Sequence, residues 1–445
     1  MESKNLTPML LLNRPVAPLA GAILGTDPQR LVGESPLRVA PPQLEIPLSP
    51  AQRRVWSAEL AEPGTPAQSI GRALTLKGPL DHAALERALV EIIHRHDVLR
   101  TVCRPTDPPT QEVQPPAPWP LPRHDLTHLA PLERRRVASN LMAMDIARPF
   151  DLTTGHLLRA KLIRLENEEH ILLLMFHRMI MDPPSLEILF DEFAALYAAF
   201  SAGRPAPGAS PAIQFGDVAF QQASLHGSAP ERSWSADISP AAVQSYKIDY
   251  PLLEKLRTFS TATGTSLEAT LLAAFKLLLH HWTGETELQV ASSDVERRPS
   301  EARNLIGCFT DELALNVRMS PGETFRSIVE GVRQNLRDAS DTLPTADHPL
   351  SFDARFERVD SLRAFRFGDA VATPKIIFPP VARFDLSLLV AEQADEVACF
   401  LEYKTSVLTT LQAARMLEQY DRLLELAMAS PETPVQRFLA ELEPL

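Results

Sequence analysis

His177, Arg178 and Asp182 stand close together in FHRMIMDPPS, where a run of aliphatic residues gives way to an amphipathic stripe. Imidazole and carboxylate can take or hold a proton, so this segment has the residue types for acid–base work. A guanidinium stays protonated at neutral pH and has no lone pair, so Arg178 can bind a carboxylate but cannot take a proton. Each residue also has a structural reading. A histidine at a strand end can be a satisfied interior group, and an aspartate ahead of Pro183 and Pro184 can be a helix cap.

The other candidates read as structure. His280 and His281 close an apolar helix, where positive charge suits the dipole. His94 and His96 flank Arg95 in RHDVLRT, where packing or loop hydrogen bonding accounts for them. His124 and His128 have HxxxH spacing, but the segment lacks a helical apolar period and an intervening Glu, so no metal site is expected. Cys103, Cys308 and Cys399 are far apart and form no CxxC pair, which speaks against a disulfide framework or zinc knuckle and fits a reducing cytoplasm. The excess of 56 acidic over 44 basic residues, a net charge of −12, works against nucleic acid or an anionic membrane as partner. No run approaches the roughly 20 apolar residues of a membrane helix.

These residues need a scaffold, and the 445 residues suffice for two or three packing units. Residues 1–45 mix apolar residues with prolines, show neither helical nor alternating period, and read as a tail. Asn13, Arg14, Pro15 and Pro18 interrupt any secretory apolar run there. Asp81 to Arg95 has Leu85, Leu89, Ile92 and Ile93 at helical spacing, with Asp81 as cap. Leu157–Leu165 and Ile171–Phe176 read as strands, the second apolar enough to be buried on both faces. A helix follows Pro184 and stops near Gly203.

The Gly-, Ser- and Pro-rich stretch from Ser201 to about Pro240 reads as the connection between two halves. The predicted lobes are 46–222 and 241–445, joined by a linker at 223–240. In the second lobe, Thr265 and Glu268 predict a capping box and Gly284 a helix stop. Strands are predicted around Val243–Ile248, Leu288–Ala291, Leu313–Val317, Lys375–Phe378, Leu386–Ala391 and Val397–Tyr403, with a last helix over Leu411–Ala429. The fold class is α/β, with a mixed sheet in each half.

Several segments resemble, in order, the signature blocks of the condensation domains of nonribosomal peptide synthetases. SPAQRRVW (Ser49–Trp56) is similar to the opening block and RHDVLRTV (Arg95–Val102) to RHExLRT. FHRMIMDP stands where the family has MHHxxxDG, FGDVAF (Phe215–Phe220) resembles YxDFAVW, and IGCFTDELALNVR (Ile306–Arg318) resembles IGxFVNTxxxR. HPLSFD (His348–Asp353) is a worn QDVPFE, and FDLSL (Phe384–Leu388) and LEYKTSVL (Leu401–Leu408) resemble the closing strands. The resemblance implies a V-shaped pseudo-dimer of two chloramphenicol acetyltransferase-like halves with a tunnel between them. It also implies acyl or peptidyl carrier proteins as partners, whose phosphopantetheine arms enter the tunnel, and no bound cofactor. Asp182 would be structural and paired with Arg297, which matches the arginine of the family's VANR segment.

The pattern is broken where its chemistry lies. The second motif histidine, the family's base or amine-positioning group, is Arg178, and the motif glycine is Pro183. Asp311 and Glu312, tunnel candidates by position, replace Asn and Thr, and Val359–Asp369 occupies the place of the RDxSRNPL block. His177 remains as the doubtful catalytic candidate. HRxxxD also resembles the X domains of glycopeptide synthetases, which recruit tailoring oxygenases. The expected function is therefore a stand-alone condensation-like protein of secondary metabolism that docks carrier proteins or a tailoring enzyme. The alternative is an active acyltransferase forming an amide or ester from a carrier-bound thioester. A coenzyme A-dependent enzyme is weaker, because such enzymes also depend on the missing histidine.

Overall fold

The unbroken aliphatic run of ILLLMF has no polar side to turn to water, and it forms a strand buried on both faces. In the computed structural model, which describes residues 39–40, 45–226, 238–294, 302–320, 322–341, 354–359, 363–393 and 395–442, that strand sits inside a six-stranded sheet. The chain divides into two compact units, one drawn from Met1–Glu231, Arg298–Phe309 and Leu362–Pro379, the other from Arg232–Arg297, Thr310–Ser361 and Pro380–Leu445.

The first unit runs β1 (Ile46–Pro47), α1 (Pro50–Ala61), β2 (Ser69–Lys77), α2 (His82–Arg95), β3 (Thr101–Arg104) and β4 (Thr110–Val113). It continues with β5 (Arg123–Asp125), α3 (Pro131–Ala147), β6 (Leu158–Glu166), β7 (Glu169–His177), α4 (Pro183–Ser201) and α5 (Phe215–His226). The second unit takes β8 (Ser239–Ile248), α6 (Tyr250–Ala262), α7 (Leu267–Thr283), β9 (Glu287–Asp294), β10 (Asp311–Arg318), α8 (Phe325–Asp341) and β11 (Ala354–Val359). The chain then gives β12 (Phe365–Phe367) and β13 (Ala370–Ile377) to the first unit. Last come β14 (Val381–Ala382), β15 (Leu386–Glu392), β16 (Val397–Lys404), α9 (Thr410–Ala429) and α10 (Val435–Glu441) in the second.

The first unit's large sheet has the order β12-β13-β2-β7-β6-β5, with β5 and β6 parallel and the other pairs antiparallel. A small sheet, β1-β4-β3, accompanies it. The second unit's sheet, β10-β9-β11-β15-β16-β8-β14, is also mixed, because β11 runs parallel to both of its neighbours. One core cluster includes Leu85, Leu89, Leu172, Leu174, Leu189 and Phe193, and the other Leu272, Phe275, Phe356, Leu388 and Tyr420.

Local signals explain the helices that frame the site. Asp81 caps α2 by accepting the Ala83 and Ala84 N–H groups. Gly284, at φ 71°, closes α7 in the left-handed conformation that glycine adopts without penalty. The cap at the other end of α7 corrects the reading of Thr265: Ser266 accepts the Ala269 N–H, while Thr265 Oγ1 is within 2.9 Å of Thr263 Oγ1.

Two further expectations change. The stretch from Ser201 to Pro240 contains α5, whose Phe215, Val218 and Ala219 are buried. The strand predicted at Lys375–Phe378 is β13, which pairs with β2 from Val371 opposite Lys77 to Ile377 opposite Gly71, and so joins the first unit. Of the predicted tail, residues 1–38 and 41–44 lie outside the described residues, as do Arg297 and the HPLSFD segment. Among the described residues no single helix is long and apolar enough to cross a membrane, and no group of three or more His, Cys, Asp or Glu could hold a metal ion.

Candidate functional site at the end of β7

β7 ends at His177, opposite Ser69 of β2. The His177 ring is 2 % exposed and packs edge-on against Phe150, with 5.9 Å between centroids. Its Nδ1 accepts the Met179 N–H at 3.1 Å. Burial holds the His177 pKa below its ordinary value, the positive charges of Arg178 and Arg159 lower it further, and the Glu59 carboxylate opposes them. The neutral ring therefore carries its proton on Nε2, which faces Glu59 Oε2 at 3.6 Å, beyond hydrogen-bond length. One nitrogen is occupied and the other turns into the interior, so the ring is placed to hold the loop.

The loop that follows is pinned at each step. The Arg178 N–H donates to the Gln68 carbonyl at 2.8 Å, and the Ile180 N–H to the His177 carbonyl at 3.1 Å. The Met179 carbonyl accepts from Gln52 Nε2 at 3.1 Å. Gln52 is itself fixed by a reciprocal capping box with Ser49 at the start of α1. The opening block thereby supports the loop 127 residues away. Met179, Ile180 and Met181 are buried, whereas Arg178 is half-buried.

Asp182 caps α4, accepting the Ser185 N–H at 3.0 Å and the Ser185 hydroxyl. Its second oxygen accepts the Phe309 N–H at 3.1 Å. Ser185 Oγ also accepts the Gly307 N–H at 3.1 Å and lies 3.2 Å from the Gly307 carbonyl. A side chain at Gly307 has no room, because its Cβ would stand 2.1 Å from Phe215 Cδ2. Pro183 occupies the first turn of α4, where a missing N–H leaves no helical bond unmade.

The structure thus places His177, Arg178, Asp182 and Pro183 on one rigid loop. Asp311 and Glu312 open β10, and their side chains lie outside the described ones. Sequence reasoning missed Ser185, three residues past the cap, and Gln52 as the support of the loop. It also gave no specific role to Gly307 and Phe309, although their block was recognised. The RHDVLRT block joins α2 to α4: Arg95 pairs with Glu91 at 2.8 Å and Glu192 at 2.9 Å, and His96 Nε2 lies 2.6 Å from Glu192.

The model of the condensation domain family matches residues 42–236 and 221–344. The chain belongs to the condensation-domain family. It is 32 % identical to chondramide synthase cmdD of Chondromyces crocatus over 91 % of its own length but 11 % of that protein, so it spans about a tenth of this relative. Its fold is that of the first condensation domain of the calcium-dependent antibiotic synthetase, with a TM-score of 0.76 at 21 % identity, covering 91 % of this chain and 99 % of that one. The X-domain from teicoplanin biosynthesis gives a TM-score of 0.74 at 21 % identity, covering 92 % and 100 %. The expected α/β class, two halves each with a mixed sheet, is the fold found.

Proposed function

We propose that this condensation-domain protein docks carrier proteins in the assembly of a secondary metabolite and does not use the histidine mechanism of bond formation. Condensation joins an amine to a thioester carbonyl, so the amine nitrogen must lose a proton as the thiol leaves. The observation that carries the reading is the state of the two motif positions. The His177 ring is committed to Met179 on one side and faces Glu59 on the other. Arg178 cannot accept a proton.

Acyl or peptidyl carrier proteins are the partners this reading names, with phosphopantetheine arms bringing the acyl groups. An X-domain from teicoplanin biosynthesis is known in complex with OxyB, and a tailoring enzyme is the corresponding further partner here. A cytoplasmic setting goes with the reading, and the three cysteines are free and buried. The alternative, an active acyltransferase, draws support from the intact clamp around Asp182, which keeps the motif loop in order without its base.

The deciding experiment presents donor- and acceptor-loaded carrier proteins to the natural chain and to Arg178→His, with products followed by intact-protein mass spectrometry. Carrier association with no product from the natural chain, and product from Arg178→His, is the result expected. Product from the natural chain overturns the docking reading and makes His177 the next residue to substitute.

A further inference from the structure

The Met179 N–H is a backbone donor, and it meets His177 Nδ1 at 3.1 Å. That nitrogen must therefore be free of a proton, and the neutral ring carries its one proton on Nε2, toward Glu59 Oε2. The other bonds that pin the motif loop do not titrate. They join backbone groups of Gln68, His177, Arg178, Met179 and Ile180 to one another and to the Gln52 carboxamide. Among these bonds only the one to Nδ1 is cancelled by a proton.

We propose that His177 is a proton switch in the motif loop: singly protonated it holds the Met179 N–H, and doubly protonated it releases that group and pairs with Glu59. An imidazolium donates from both nitrogens, so the second proton sets Nδ1–H against the Met179 N–H, donor against donor. The same proton places a positive charge 3.6 Å from a carboxylate that is itself buried. Arg178 joins the ring to Met179 in the chain, so the proton sets how firmly the backbone of that guanidinium residue is held.

Among the described residues the charged groups around the ring are Glu59 of α1, Arg159 of β6 and Arg178 of the loop itself, while Ser69 of β2 and Phe150 bring no charge. Burial holds the His177 pKa below the ordinary histidine value, Glu59 opposes it, and Arg178 and Arg159 act with burial. The switch therefore turns below about pH 6.5, and the loop is pinned above that pH.

Hydrogen exchange of the full chain, read by mass spectrometry from about pH 8 to about pH 4.5 and corrected for intrinsic rates, tests the switch. A peptide over 176–182 is expected to lose protection about tenfold as the pH falls, the effect of one lost buried hydrogen bond, while peptides from β15 and β16 keep theirs. Glu59→Gln keeps the shape and removes the charge, and is expected to move the midpoint about one pH unit lower. His177→Asn offers Oδ1 to the Met179 N–H and takes no proton, and is expected to keep the loop protected across the range. Protection that holds until β15 and β16 also open overturns the proposal, as does a Glu59→Gln midpoint that stays or rises. Opening of the loop in His177→Asn at the pH of the natural chain overturns it too, and the natural chain and Glu59→Gln decide the question even where His177→Asn does not fold.

Discussion

The Asp182 carboxylate accepts the Phe309 N–H at 3.1 Å while it caps α4 through the Ser185 N–H, so one side chain ties together segments 127 residues apart. Asp182→Ala removes the cap and the long-range bond together, and is expected to cost about 3 kcal/mol of stability in urea unfolding. Asp182→Asn keeps one acceptor and is expected to cost about 1 kcal/mol. Equal stability of all three chains would show that solvent replaces these bonds at no cost.

Gly307→Ala tests the close approach beneath that bond. With Phe215 Cδ2 only 2.1 Å from the new Cβ, the ring must move, and Phe215 is buried with its ring edge-on to Phe309 at 4.9 Å. The expected loss is about 1–3 kcal/mol. A second substitution, Phe215→Leu, is expected to recover part of it in the double mutant, and independent, additive losses would refute the clash.

Acid sensitivity is expected from the pair His82 and His170, whose Nε2 atoms lie 3.1 Å apart, so that one ring donates and the other accepts. Burial lowers the His170 pKa to about 4, with His82 and Arg164 acting in the same direction and Asp125 opposing. Burial, Arg123 and Arg164 lower that of His82, against Asp81 and Asp125. Between about pH 6.5 and 4 the unfolded chain therefore binds more protons than the native one, and stability falls as the pH drops through that window. His170→Phe is expected to make the fall shallower in melting curves taken across the range.

Lys276 gives an alkaline counterpart. It is 0 % exposed on α7, donates from Nζ to the Leu315 carbonyl at 3.0 Å, and burial holds its pKa well below the usual lysine value. The unfolded lysine keeps its proton up to about pH 10.4, so this residue adds stability as the pH rises toward that value. Lys276→Met is expected to raise stability at pH 7 by about 1–3 kcal/mol and to remove that rise. A destabilised Lys276→Met would assign the ammonium a structural bond stronger than its desolvation.

What could be read from the sequence was local. The apolar spacing of α2, the run of β7 and the Asp182 cap are each contained within about one element, and each stands where its pattern put it. The motif loop was found through its block, but the partners that hold it were not. Phe309 and Gln52 reach it across long chain separations that no periodicity encodes. The pairing of β13 was hidden for a related reason: its partner β2 lies near the other end of the chain, and Pro374, opposite Leu74, interrupts its strand pattern.

The excursion that delivers β13 to β2 bears on how such a chain can be divided or inherited. Cutting it anywhere between 222 and 241 would strip β2 of a neighbour and leave its backbone groups as an open edge, ready to recruit other chains. The two units are sewn by several passes of one thread, with segments of the first drawn from Arg298–Phe309 and Leu362–Pro379. A fragment of this chain keeps the first unit's large sheet complete only if it carries both β2 and β13.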